Sequence, residues 1–112
     1  MTTVTVAPAK TAPFPAAAVE KCLIEELVEA VKAEASIKGF VLPASDRAIV
    51  KASVQVDSLV TVAILCVVEP IVGFELPESV VRTGGYTSVE AAVAHLVPRI
   101  EKLWAKKHGV KP

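Results

Sequence analysis

The chain has 112 residues, of which 53% are hydrophobic and only 4% aromatic, and its formal net charge is zero. This length suits one domain with a single modest core, which must be built from Val, Ala, Leu and Ile because aromatic residues are so few. The balanced charge gives no global indication of nucleic-acid binding, so we expect no nucleic-acid partner.

The beginning of the chain differs in composition from the rest. Residues 1–14 are mostly Thr, Ala, Val and Pro and show no helical periodicity, which predicts a disordered leader. We expect one helical domain over residues 15–108 and a short tail at 109–112.

The first helix should begin at Pro15 or Ala16, because proline is tolerated in a first helical turn. We predict helix over about 20–38, with Gly39 as its C-terminal stop. Apolar residues recur every fourth position and indicate one buried stripe, formed by Val19, Leu23, Leu27 and Val31.

Residues 40–56 form a long connection with turn residues around Pro43. The next helix is predicted over 58–69. Because Pro70 lacks an N–H group and clashes with the carbonyl one turn before it, this helix should end near Val68 or kink there.

The start of this second predicted helix carries the chemistry of interest. Asp57 is a good N-cap, because its carboxylate can accept hydrogen bonds from the unpaired N–H groups of the first turn. Ser58 is then the first helical residue, with an exposed hydroxyl at the helix end that favours a phosphate group. Asp and Ser are also the ordinary capping residues, so on these residues alone the simpler interpretation is that the pair only caps the helix.

The last part of the chain predicts a short helix or turn within 76–86, followed by a final helix over 88–107. Thr87 and Glu90 have the spacing of a capping box for that helix. Pro98 lies inside the helical pattern and should kink the helix or start a second segment.

These elements predict an all-α fold, a small four-helix bundle with unequal helices, a long first loop and a short third helix. No internal repeat and no glycine-rich phosphate loop is found in the sequence. The positions that should be largely buried are Leu23, Leu27, Val31, Leu65, Val68, Phe74, Val93, Leu96 and Ile100.

Two stretches give the chain a resemblance to the acyl carrier protein family. The first is Asp57-Ser58-Leu59 at a helix start, and the second is Phe74-Glu75-Leu76-Pro77-Glu78, with no gap needed between them. The similarity covers roughly residues 20–100. It implies a carrier-protein-like bundle without catalytic residues of its own.

The resemblance implies a 4'-phosphopantetheine arm on Ser58. A phosphopantetheinyl transferase would present coenzyme A and a divalent metal, and the arm's thiol would then hold a fatty acyl, polyketide or aminoacyl group as a thioester. Asp57 would meet basic groups on partner enzymes, and Leu59 would anchor the helix start or contact acyl-loading and acyl-transferring partners. The alternative is an unmodified helical interaction module with a carrier-like fold, and a small enzyme is a third possibility.

Charge is distributed unevenly along the chain. Residues 57–81 contain four acids and no Lys or Arg, whereas residues 99–112 contain five bases against Glu101 alone. The basic end can be a solvated helix terminus or a binding surface. Family members usually carry acids on the helix that follows the serine, but this chain has Val60, Ala63, Cys66 and Val67 there, which indicates a specialised carrier with a more hydrophobic partner surface.

The remaining reactive side chains have no partner that would indicate catalysis. His95 is expected to be half-buried on the last helix, and Cys22 and Cys66 have no metal-ligand spacing and are expected to be reduced core or near-core thiols. The longest apolar run, Leu59 to Val68, is too short to span a bilayer. We therefore expect a cytoplasmic monomer.

Overall fold

Four α-helices make up the described part of the chain. The computed structural model describes residues 13–108. The helices are α1 (Ala16–Lys38), α2 (Asp46–Lys51), α3 (Ser58–Val72) and α4 (Val89–Lys107), and a single 3-10 turn covers Glu78–Val80. The described residues contain no strand, which confirms the all-α class. Residues 1–12, most of the predicted leader, and the predicted tail at 109–112 lie outside the described residues.

Helix α1 follows its sequence pattern closely. It begins at Ala16 and ends at Gly39, whose φ of 78° lets its N–H donate to the Ala35 carbonyl at 2.7 Å. The predicted stripe of Val19, Leu23, Leu27 and Val31 is buried. Just before the helix, the ring of Phe14 packs edge-on against Trp104, with centroids 5.9 Å apart.

The connection after α1 contains a helix that we did not predict. In α2 the Ser45 hydroxyl accepts a hydrogen bond from the Ala48 N–H at 3.1 Å, an ordinary N-cap. Ile49 alone of its six residues is buried. A helix this short has too few turns to produce a visible period, so pattern reasoning assigned the whole segment to a loop.

Helix α3 passes through Pro70, so the predicted end near Val68 is wrong. The helix continues to Val72 and ends at Gly73, whose N–H donates to the Glu69 carbonyl at 2.8 Å. Pro70 is exposed, whereas Val72 is buried in the core. The extra turn forms because burial of Val72 stabilises it by more than is lost with the one backbone hydrogen bond that Pro70 cannot make.

The start of α4 also differs from the prediction. Ser88, not Thr87, is the N-cap, and its hydroxyl accepts from the Ala91 N–H at 2.9 Å. The helix runs without a break through Pro98, so no second segment starts there.

The core lies between α1, α3 and α4 and confirms most of the predicted buried positions. The exception is Phe74, which is only half-buried against the core. The Lys107 ammonium lies 5.8 Å from the centroid of its ring. Tyr86, Val56 and Trp104 are further core residues that we did not predict.

Candidate functional site

The N-terminus of α3 is capped as predicted. Asp57 has an extended backbone conformation, and its carboxylate accepts hydrogen bonds from the N–H groups of Leu59 at 2.6 Å and Val60 at 3.4 Å. The Asp57 carbonyl accepts from the hydroxyl of Thr61 at 2.9 Å, and Thr61 is fully buried. The cap and the buried threonine together fix the residue at which the helix starts.

Ser58 is the first residue of α3, as predicted, but it is half-buried, whereas we predicted a solvent-exposed serine. The cause is the segment 82–86, which lies directly on the helix start. A Cβ atom added to Gly85 would overlap the Val56 carbonyl oxygen and would lie 3.2 Å from the Ser58 nitrogen. Only glycine lets the two backbones approach this closely.

A single two-residue bridge holds that segment against the helix start. Val56 and Tyr86 exchange backbone hydrogen bonds of 2.8 Å and 2.9 Å. Beside them, the Gln55 side-chain amide donates to the Gly84 carbonyl at 3.4 Å. Gln55 therefore ties the loop before Ser58 to the loop that covers it.

The side chain of Tyr86 extends this tie to α4. Its hydroxyl oxygen accepts from the Arg82 N–H at 2.9 Å and lies 2.8 Å from Nδ1 of His95. Burial, and to a lesser extent the charges of Arg82 and Arg99, lower the pKa of His95. A hydrogen bond from the Tyr86 hydroxyl to Nδ1 requires the neutral ring with its proton on Nε2. His95 is half-buried as predicted, and it supports the tyrosine that is bridged to Val56.

The outer surface of α3 is apolar. Leu59 is 77% exposed and Val67 45% exposed, and Val60, Ala63 and Cys66 on the same side are exposed as well. We call these five residues the apolar α3 face. Because it is exposed, Leu59 does not anchor the helix start. Cys66 was predicted to be a core or near-core thiol, and that prediction is wrong because its side chain is exposed.

Acidic residues contribute little to this face. Glu69 is half-buried and its carboxylate accepts from the Leu76 N–H at 2.8 Å, so it serves the chain turn after α3. Asp57 is committed to the helix cap. The described structure therefore agrees with the sequence in giving this helix an outer surface that favours apolar rather than basic contacts.

A hollow of about 430 Å³ opens beside the helix start. Its apolar lining includes Phe40, Val41 and Val60, all of them exposed. At its edge, a hydrogen bond from Lys38 to Glu34 at 2.9 Å, with a smaller contribution from the Asp57 charge, raises the pKa of Lys38. The hollow and the apolar α3 face together surround the Ser58 end of the helix with exposed hydrocarbon.

Sequence reasoning found Asp57, Ser58 and Leu59 but missed Gly85 and Tyr86, which cover and position the helix start. The Gly84-Gly85 pair was the available signal, since paired glycines often mark a close backbone approach. Within residues 13–108 no cluster of His, Cys, Asp and Glu could hold a metal ion. No helix in this part of the chain is long and apolar enough to cross a membrane.

Comparison with protein-family models, with curated proteins and with solved structures gives no match to this chain.

Proposed function

We propose that this chain is a specialised acyl carrier protein that carries a 4'-phosphopantetheine arm on Ser58. The observation that supports this most directly is the capped start of α3, where Ser58 follows Asp57 as the first helical residue. It is a cytoplasmic monomer in this proposal. The free thiols of Cys22 and Cys66 suit such a reducing compartment.

The residues around Ser58 fit a phosphodiester at that position. The positive end of the helix dipole favours an anion there. Asp57 already satisfies the N–H groups of Leu59 and Val60, which keeps the helix start rigid before any group is attached. The arm would supply a terminal thiol that holds the cargo as a thioester.

The Ser58 hydroxyl is the nucleophile in this proposal. A phosphopantetheinyl transferase would present coenzyme A with a divalent metal, and the serine oxygen would attack the phosphorus that bears the pantetheine. A new phosphate ester bond forms at Ser58, the pyrophosphate linkage breaks with adenosine 3',5'-bisphosphate as the leaving group, and the serine proton passes to a base of the transferase. The half-buried position of Ser58 requires the transferase to contact the 82–86 segment as well as α3.

The apolar α3 face defines the kind of partner enzyme that this carrier would meet. Exposed apolar surface beside a reactive group marks an interaction site. Leu59 and Val67 lie eight residues apart on the helix and so share one side of it. We propose dedicated acyl-loading and acyl-transferring enzymes with an apolar contact surface, in place of the basic surface that an acidic carrier helix attracts.

Intact mass after co-expression with a broad-specificity phosphopantetheinyl transferase tests the modification. The parent chain should gain the mass of one arm, and Ser58→Ala should abolish the gain. Ser53→Ala and Ser79→Ala are matched controls, because both serines are exposed but neither begins an α-helix. No gain in the parent, under conditions that modify another carrier completely, would contradict the proposal.

A second candidate is an unmodified interaction module, favoured by the half-burial of Ser58 and the exposed apolar α3 face. In that case Ser58→Ala should leave partner binding unchanged, whereas Leu59→Glu with Val67→Glu should abolish it. Loss of binding in both variants would instead support the carrier.

A further inference from the structure

A trough lies between α4 and the chain segment around the 3-10 turn. Its volume is about 630 Å³, and its apolar lining includes Pro77, Val80 and Leu103. Val80 is buried and Leu103 half-buried, so they form the floor. Three exposed cations from α4 stand along one wall, namely Arg99, Lys102 and Lys106. We call this site the basic trough.

The cations of the basic trough have no carboxylate partner among residues 13–108. On α1, by contrast, Lys38 pairs with Glu34 at 2.9 Å, and Lys32 reaches Asp46 on α2 at 2.9 Å. Arg99 donates only to the backbone carbonyl of Ser79 at 3.3 Å. Positive charge beside the trough is therefore available to an external anion.

The apolar floor continues beyond the cations. A second hollow of about 350 Å³ shares Pro77, Leu103 and Lys106 with the trough and adds Phe74. The two hollows adjoin at these three shared residues, and the second hollow is also lined by Glu75 and Lys107. Such a site accepts a ligand that is anionic at one end and apolar along its length.

One further observation narrows the ligand class. None of the large hydrophobic side chains that protrude from the described surface, among them Val41 and Leu59, lines the trough. A concave site without protruding apolar residues suits a single molecule better than a membrane surface.

We propose that the basic trough binds a single-chain amphiphile with an anionic head group, of the fatty-acid class. The head group accepts charge-assisted hydrogen bonds from Lys102 and Lys106, and Arg99 adds positive charge. The alkyl chain lies on Val80 and Leu103 and extends toward Phe74. Transfer of this apolar chain out of water drives binding. The volume is within the range of about 300–1,000 Å³ that small-molecule sites occupy.

This site is independent of the proposed arm. Helix α3 has 15 residues and is about 22 Å long, with Ser58 at its start and Phe74 just beyond its end. Ser58→Ala should therefore leave amphiphile binding unchanged, and failure of the carrier proposal would not affect it.

Titration of the full chain with dodecanoate, kept below its micelle concentration, tests the proposal by NMR mapping of backbone amides. The amides of Val80, Leu103 and Lys106 should shift most. The double variant Lys102→Glu with Lys106→Glu should weaken binding at least about tenfold. The matched control is Lys21→Glu with Lys51→Glu, which changes the net charge equally at exposed positions outside the trough and should bind like the parent.

Titrations with other ligands and with a third variant can give results that contradict the proposal. Dodecanol or dodecyltrimethylammonium binding as tightly as dodecanoate would overturn the role of the cations. Equal affinity for tripolyphosphate would show a plain anion site, and binding only to anionic vesicles would show a membrane surface. Dodecanoate binding that survives the trough variant but is lost in Val60→Glu would place the ligand in the hollow beside Ser58. Each of these results would refute the proposal.

Discussion

Helices α1 and α3 pack against each other through similar buried faces, yet their outer faces are opposite in character. The outer face of α1 is charged and carries Lys38 paired with Glu34, whereas that of α3 exposes Leu59 and Val67. Their N-termini differ as well. Pro15 begins α1 without a side-chain cap, but the α3 start is capped by Asp57 and covered by the 82–86 segment.

This contrast distinguishes residues that stabilise the bundle from exposed residues that are available to contact a partner. Burial of Leu27 contributes to folding, but a leucine left 77% exposed contributes almost nothing to it. An exposed apolar side beside a rigid, capped helix start is the combination that a docking surface requires. Helix α1 thus serves mainly to stabilise the bundle, whereas α3 presents the candidate site.

The largest expected effect tests this division directly. Leu27→Ala removes a fully buried side chain and should lower the free energy of unfolding by about 2–5 kcal/mol. Leu59→Ala should change it by no more than about 0.5 kcal/mol, because the side chain already contacts water. Urea denaturation of both variants measures the difference. Similar losses would show that Leu59 is packed in solution and would break the contrast between the two helices.

A smaller effect is expected where the 82–86 segment covers the α3 start. Gly85→Ala places a Cβ against the Val56 carbonyl at a φ of 83° and should cost roughly 1–3 kcal/mol. Gly84→Ala is the matched control, since its φ of 90° is similar but no atom lies within 4 Å of the added Cβ. It should cost only the strain of the left-handed conformation, about 1 kcal/mol.

The same two glycine variants test whether the 82–86 segment positions Ser58. If the cover positions the serine, Gly85→Ala should also slow arm transfer more than Gly84→Ala at a temperature where both variants are folded. Equal rates would mean that the transferase recognises α3 alone.

The sequence predicted those parts of the fold that depend on long periodic segments. The α1 stripe and the Asp57 cap were found because each needs only neighbours within one or two turns. The end of α3 was misplaced because the rule for Pro70 is local, whereas burial of Val72 is a tertiary effect. The cover over Ser58 was missed because it depends on the bridge between Val56 and Tyr86, thirty residues apart.

The smallest expected effect concerns the hydrogen bonds that hold this cover. The His95 ring lies 2.8 Å from the Tyr86 hydroxyl, and burial, reinforced by the charges of Arg82 and Arg99, lowers the pKa of His95 in the folded chain. Because the folded pKa lies below that of the unfolded chain, the contribution to stability is complete above the usual value of about 6.5. It is lost as pH falls from there toward the lower folded pKa.

Urea melts between about pH 7 and pH 5 measure this dependence. The parent should lose stability as the pH falls, and His95→Gln, which cannot gain a proton, should lose less over the same range. Tyr86→Phe separates the hydrogen bond from burial, because it deletes the hydroxyl but keeps the ring in the core. If burial is the main cause, Tyr86→Phe should retain most of the pH dependence, and a flat profile in that variant would show that the tyrosine hydrogen bond dominates. A slope in His95→Gln equal to that of the parent would place the titrating group elsewhere and would remove His95 from the support of the α3 start.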